Sequence, residues 1–166
     1  CVSLIASASA AGHKILLFSQ FASMLERIQE RLLQEGISSH LLVGATPKEE
    51  RSRMVQAFAS DEVPVFLISL KAGGTGLNLT AADIVIHYDP WWNVAAQNQA
   101  TDRAYRIGQE KPVTVYKLIL KDTIEENLLK LQNAKLALAA QVVSEGMVSL
   151  GDLSQNELME LFEQNP

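Results

Sequence analysis

Cysteine is almost absent from this chain. Cys1 is the single one among 166 residues, so no internal disulfide and no cysteine zinc site can form within it, which fits a reducing cytosol. No apolar stretch approaches the roughly 18–20 residues of a membrane span. The small-residue opening, CVSLIASASAAGHK, lacks the basic region that precedes the apolar core of a signal peptide. Because it begins on Cys1 rather than Met, the chain reads as a fragment cut from a longer protein. Histidine is also sparse. His13, His40 and His87 lie far apart, and no metal-ligand spacing appears.

A basic excess is missing as well. Net charge is −5, and it is unevenly placed. Residues 1–63 carry 6 basic and 7 acidic groups, residues 64–121 carry 6 and 4, and residues 122–166 carry 2 and 8. The middle third is therefore +2 and the tail −6, which argues against tight nucleic-acid binding by this piece alone. A few backbone contacts, with a partner supplying the rest, remain compatible with that balance.

What is present is enough apolar material for a full core, 48% of the chain, in an alternation of strand and helix patterns. Strands are expected at 14–19, 37–43, 63–69, 83–88 and 113–120. Helices are expected at 21–35, 47–60 and 94–106. Phe21, Met24, Leu25, Ile28, Leu32 and Leu33 fall at helical spacing, and Gly36 follows as a C-cap. Thr46-Pro47-Lys48-Glu49 is a capping box with Pro at the first helical position. Short apolar strands alternating with helices imply an α/β fold, a doubly wound, mostly parallel sheet covered on both faces. Ligands bind such sheets at the carboxyl ends of the strands, which singles out 19–21, 44–46, 69–78 and 89–92. A long helix with Ile124, Leu128, Leu131 and Leu138 as its apolar stripe is expected from Asp122 to about 142. Gly146 and Gly151 mark a linker, and Ser154 with Glu157 caps a last short helix. The expected division is a lobe at 1–121, a helix at 122–142, and a linker with a short helix at 143–166.

The chemistry concentrates in three stretches. In Gln99-Ala-Thr-Asp102-Arg103-Ala-Tyr-Arg106, two arginines three apart share one side of a helix. Paired guanidinium forks suit a triphosphate. On spacing alone, a solvated helix face with Asp102 paired to an arginine fits equally well. Ser69-Leu-Lys71-Ala-Gly73-Gly74-Thr75-Gly76-Leu-Asn78 is a strand followed by a donor-rich turn that lets backbone N–H groups approach phosphate. It is neither a Gly-Lys-Ser/Thr loop nor a complete dinucleotide fingerprint, since Leu79 occupies the third glycine position. Alone, it reads as a generic tight turn. Asp89-Pro90-Trp91-Trp92-Asn93 places two tryptophans just after a strand; one is expected in the core, the other toward solvent or a partner. Ser19 has no nucleophile arrangement around it, and Asp83, Asp89 and Asp102 read as turn and capping residues.

Taken together, these stretches resemble the C-terminal helicase lobe of the Swi/Snf family of superfamily-two ATPases. The likeness runs from about Lys14 to about Leu138. KILLFSQF at 14–21 is similar to motif IV, SLKAGGTGLNLTAAD at 69–83 to motif V, VIHYDPWWN at 85–93 to its extension, and QATDRAYRIGQ at 99–109 to motif VI. Val94 departs from the family's common proline and Tyr105 from its frequent histidine; neither removes a charge. The short tail looks more bacterial than eukaryotic. A nucleoid-associated cytoplasmic protein is implied in the first case and a nuclear one in the second.

The resemblance implies a RecA-like lobe that contributes half of an ATP site. Arg103 and Arg106 correspond to the motif VI arginines, with Arg106 the main arginine finger, and Gln99 helps position nucleotide or arginines. Gly74, Gly76 and Asn78 line the side facing ribose and phosphates. Ser19, Gln20, Gly44, Thr46, Ser69 and Lys71 touch the DNA phosphate backbone, contacts that carry no base specificity. Residues 122–142 resemble the family's brace helix. The chain has no phosphate loop and no Asp-Glu-x-His-type motif, so the Mg that accompanies ATP is assigned to the N-terminal lobe, and the isolated fragment is expected to be inactive. The implied partners are that lobe, duplex DNA, and DNA-bound proteins or RNA polymerase, with no membrane. Two other classes fit parts of the sequence: a superfamily-two lobe acting on RNA or unwinding single strands, and a non-catalytic Rossmann-like nucleotide-binding module.

Overall fold

In a computed structural model of the chain, the description covers residues 1–60, 62–73, 77–91, 93–106, 108–109 and 111–145, with side chains to 134. Two compact units are formed, Cys1–Ile119 and Leu120–Pro166.

The first unit is built on a five-stranded sheet. Its elements run α1 (Val2–Ala10), β1 (Ile15–Ser19), α2 (Ala22–Gln34), β2 (Ser39–Leu42), α3 (Lys48–Ser60), β3 (Val65–Ser69), α4 (Leu70–Gly73), β4 (Ile84–His87), α5 (Val94–Thr101) and β5 (Thr114–Lys117). The strand order is β2-β3-β1-β4-β5 and every pairing is parallel. All three central strands, β1, β3 and β4, are buried along their whole length. The two faces divide by residue parity, as a strand's period of two requires. Ile15, Leu17, Val65, Leu67, Ile84 and Ile86 pack with Ile5 of α1 and Leu25, Ile28 and Leu32 of α2. Leu16, Phe18, Phe66, Ile68 and Val85 pack with Phe58 of α3 and Ala100 of α5. Helices thus cover both faces, and the doubly wound parallel architecture expected from the sequence is the one observed.

Helix ends follow local chemistry. Gly36 has φ +74. Its N–H donates to Leu33 O at 3.0 Å and the Ile37 N–H to Leu32 O at 2.9 Å, the paired bonds that close a helix through a left-handed glycine. Gly12 ends α1 the same way, with φ +82 and His13 N–H donating to Ala8 O at 3.1 Å. α1 itself is not signalled by helical periodicity; its Ile5 and Ala8 are simply buried against the sheet. The Thr46 hydroxyl, expected to cap α3, accepts from Val43 N–H at 3.1 Å and so tightens the preceding turn.

The second unit opens with Asp122 at φ +60 and continues as α6 (Ile124–Glu145). Thr123 Oγ1 accepts from Glu125 N–H at 3.2 Å and donates to Leu120 O at 2.7 Å, while Glu125 Oε2 accepts from Leu120 N–H at 2.8 Å. Glu125 and Glu126 occupy the first turn, where negative charge meets the positive end of the helix dipole. The linker at Gly146 and Gly151 and the helix capped by Ser154 and Glu157 lie outside the described residues. No helix among the described residues is long and apolar enough to cross a membrane.

Candidate functional site

Parallel strands bring their following loops to one edge of the sheet. Ser19 is in register with Ser69, and Phe18 with His87. The loops that leave the sheet after Ser19, Leu42, Ser69 and His87 therefore start side by side, at the edge where an open α/β sheet binds ligands.

Two of these loops are tied by one carboxylate. Asp89, 7% exposed, accepts from Ser19 Oγ and from Gln20 N–H, the latter at 3.0 Å. Gln20 Nε2 donates to Pro90 O at 3.0 Å. Asp89 thus has the turn-holding role expected of it. The Ser19 side chain is wholly buried, and its hydroxyl also accepts from Phe21 N–H at 3.0 Å. Ser69 is buried too, its Oγ accepting from Ala72 N–H at 3.3 Å at the start of α4. Both hydroxyls face inward rather than toward the edge. Gly44 and Lys71 are exposed there, and Gln20 and Thr46 are half-buried. Arg51 shapes the 44–46 turn by donating to Gly44 O and Thr46 O, each at 2.8 Å.

The arginine stretch departs from a regular helix. Asn93 caps α5 by accepting from Ala96 N–H at 3.2 Å, and the helix runs only to Thr101. Beyond it the backbone tightens into short-range turns, Arg103 N–H donating to Ala100 O and Ala104 N–H to Thr101 O. The cause is tertiary. Arg103 O accepts from Leu79 N–H at 3.0 Å and Ala104 O from Gln109 Nε2 at 3.4 Å, so these carbonyls are drawn away from a continuing helix. Arg103 and Arg106 therefore do not share a helical face. Arg103 is 3% exposed, while Arg106 is open to solvent.

Arg103 is electrostatically perturbed. Burial pulls its guanidinium below the ordinary value, the like charge of Arg106 adds to this, and Asp102 opposes it. Its buried Nε has no hydrogen-bond partner among the described residues. An unsatisfied donor on a permanently charged, dehydrated group is costly. Asn78 and Gln99 are exposed nearby in sequence; Gly74 and Gly76 lie outside the described residues, as does Trp92. Trp91 is half-buried.

Two residues inside the quoted motif stretches were given no role by the sequence. His87 stacks on Phe18 at 5.7 Å between ring centroids, and its Nε2 lies 2.9 Å from Thr101 Oγ1. That hydroxyl donates to Gln97 O, so His87 Nε2 is the donor to it. Burial, with Lys117 adding to it, lowers the His87 pKa to about 4. Gln109 is the second, with its amide directed at backbone of both the 79–82 and the 103–106 stretches. Among the described residues, no group of three or more His, Cys, Asp or Glu could hold a metal ion.

A five-stranded parallel sheet covered by helices on both faces, with these loops gathered at its carboxyl edge, is the architecture of a RecA-like lobe. The chain belongs to the helicase conserved C-terminal domain family, whose model matches residues 1–108. It is 45% identical over 151 residues to an uncharacterized ATP-dependent helicase of Mycoplasma genitalium, covering 90% of this chain and 15% of that protein. It is 44% identical over 154 residues to the zebrafish (Danio rerio) chromodomain-helicase-DNA-binding protein 1-like, covering 93% of this chain and 15% of that protein. The chromatin-remodeling ATPase INO80 of Cryptococcus neoformans is 41% identical over 162 residues, covering 96% and 9%. The crystal structure of the C-terminal part of the Fun30 ATPase domain superposes with a TM-score of 0.71 at 36% identity, over 74% of this chain and 40% of that one. These relatives are Swi/Snf-type ATP-dependent helicases, and this chain is similar to their C-terminal helicase lobe. It spans only 15% of the length of the first relative.

Proposed function

We propose that this chain is the second lobe of an ATP-driven duplex-DNA translocase that remodels protein–DNA complexes. The observation that carries the reading is the buried Arg103, whose Nε has no hydrogen-bond partner among the described residues, with the charge of exposed Arg106 close to it. These residues fit an anionic triphosphate. When bound between the lobes, ATP supplies the free energy of the cycle. In this reading, Arg106 presents its exposed guanidinium to the γ-phosphate as the finger, and Arg103 reinforces it. Gln99 and Asn78 orient the nucleotide from the exposed edge, together with Gly74 and Gly76. The N-terminal lobe of the longer protein holds the phosphate loop and Mg.

DNA contact falls to the exposed part of the same edge. Lys71, Gly44, Thr46 and Gln20 meet the phosphate backbone, while buried Ser19 and Ser69 set the loops that present them. Such contacts grip without reading bases, which suits a motor that moves along any sequence. DNA-bound proteins, RNA polymerase among them, are what such a motor would displace.

The test is phosphate release by the longer protein, with and without duplex DNA or RNA, beside this chain alone. Duplex should stimulate turnover, RNA should not, and the chain alone should be silent. Arg106→Ala should lower turnover by about 10³-fold or more with the fold intact. Wild-type turnover in that variant would remove the finger assignment, and stimulation by RNA alone would move the function to RNA helicases.

A further inference from the structure

The backbone that carries Arg103 and Arg106 is irregular, so no helical ladder holds the two guanidinium groups in place. A single side chain takes over that task. Gln109 Nε2 donates to Ala82 O at 2.7 Å, to Thr80 O at 3.0 Å and, more weakly, to Ala104 O at 3.4 Å. Its Oε1 accepts from Lys111 N–H at 2.9 Å, and its own N–H donates to Arg106 O at 3.0 Å. The residue therefore touches backbone between the two arginines, at the second arginine itself, and in the loop that follows Asn78 and Leu79.

Only a primary amide meets these demands at this length: two donors and one acceptor on one planar group. A carboxylate would turn lone pairs toward three carbonyls. An apolar side chain would fill the space and leave the carbonyls of Thr80 and Ala82 without their donor. Gly108 makes the approach possible. Its φ is +104, although a Cβ there would meet nothing within 4 Å, so glycine is needed for the backbone turn and not for space.

We propose that Gln109, aimed by Gly108, is a positioning residue that locks the Arg103–Arg106 segment to the 78–82 loop, so that arginines and nucleotide-facing loop move as one piece. This rests on the proposed arginine role. A group that acts only through arginine placement contributes where charge develops, in the transition state, and not to ground-state ATP binding.

The experiment uses the longer, two-lobed protein with Gln109→Met, which keeps the bulk and removes the hydrogen bonds, and Gln109→Glu. Duplex-stimulated kcat should fall by about 10- to 100-fold, the size of effect that ångström-scale misplacement causes, with the KM for ATP little changed and the protein still fully folded at the assay temperature despite a lower melting midpoint. Wild-type kcat, or a loss that only tracks the fraction of folded protein, overturns the positioning role. Should Gln109→Met not fold, Gly108→Ala keeps the amide and misdirects it; the same kcat loss is expected, and unchanged kcat overturns the proposal. Arg106→Ala, run beside these, separates the two ideas. Wild-type turnover there overturns the arginine reading and this proposal with it. A silent Arg106→Ala beside an unaffected Gln109→Met overturns the positioning role alone.

Discussion

Ser19 donates a hydrogen bond to the carboxylate of Asp89, 70 residues further along the chain, and the Gln20 N–H donates to the other oxygen of the same group. The pair joins the loop after β1 to the loop after β4 in a buried setting. Asp89→Ala would leave the Ser19 hydroxyl short of its acceptor and the Gln20 N–H orphaned. Unfolding free energy should fall by about 1–3 kcal/mol, read as a lower midpoint in denaturant. Asp89→Asn, which retains one acceptor oxygen, should lose less. An unchanged midpoint in Asp89→Ala would mean the bond contributes nothing net.

His87 predicts a pH dependence of stability. Its folded pKa is near 4 against an ordinary 6.5, so between these values the unfolded chain binds the proton that the folded chain refuses. Stability from this group is complete above about pH 6.5 and is lost as the pH falls toward 4, by up to about 3 kcal/mol. Carboxylates also titrate in that range, so the measurement is the difference between wild type and His87→Gln in melts from pH 7.5 to 4. The variant should show the flatter profile; parallel profiles would reject the assignment.

Two glycines should respond oppositely to alanine. Gly36 sits at φ +74 at the end of α2, and Gly36→Ala should cost about 1–2 kcal/mol from left-handed strain. Gly44 has no such angle, and a Cβ there meets nothing within 4 Å. Gly44→Ala should therefore leave thermal stability within about 0.5 kcal/mol of wild type. Equal destabilisation of the two would contradict the backbone argument.

Lys71 tests the nucleic-acid edge. It is exposed in α4, between half-buried Leu70 and buried Ala72, so Lys71→Ala should spare the fold. In the longer protein it should weaken duplex binding at low salt and make the slope of log K against log salt shallower by about one phosphate contact. An unchanged slope would place Lys71 off the DNA path.

Much of the architecture is legible in residue order because local rules decide it. Leu16 and Phe18 point one way and Leu17 the other through strand geometry alone, and Gly36 ends α2 through its own backbone. α1 escaped notice because the small, apolar segment Val2–Ala10 has no clear polar face; it is a helix that the sheet makes useful. The helix expected through Arg106 stops at Thr101, because the carbonyls of Arg103 and Ala104 find partners at Leu79 and Gln109.

The site divides along the same line. Residue types and spacing alone singled out Arg103, Arg106, Lys71 and the turns after the strands as candidate positions, since charge, flexibility and strand order are properties of the chain; their proposed roles came from the family resemblance. Only the tertiary structure decided that Arg103 lies buried while Arg106 stays open, that the hydroxyls of Ser19 and Ser69 turn inward, and that the Gln109 amide meets the carbonyls of Thr80, Ala82 and Ala104. Burial and hydrogen bonding depend on which distant backbone groups meet once the sheet has formed, and no local pattern encodes those meetings.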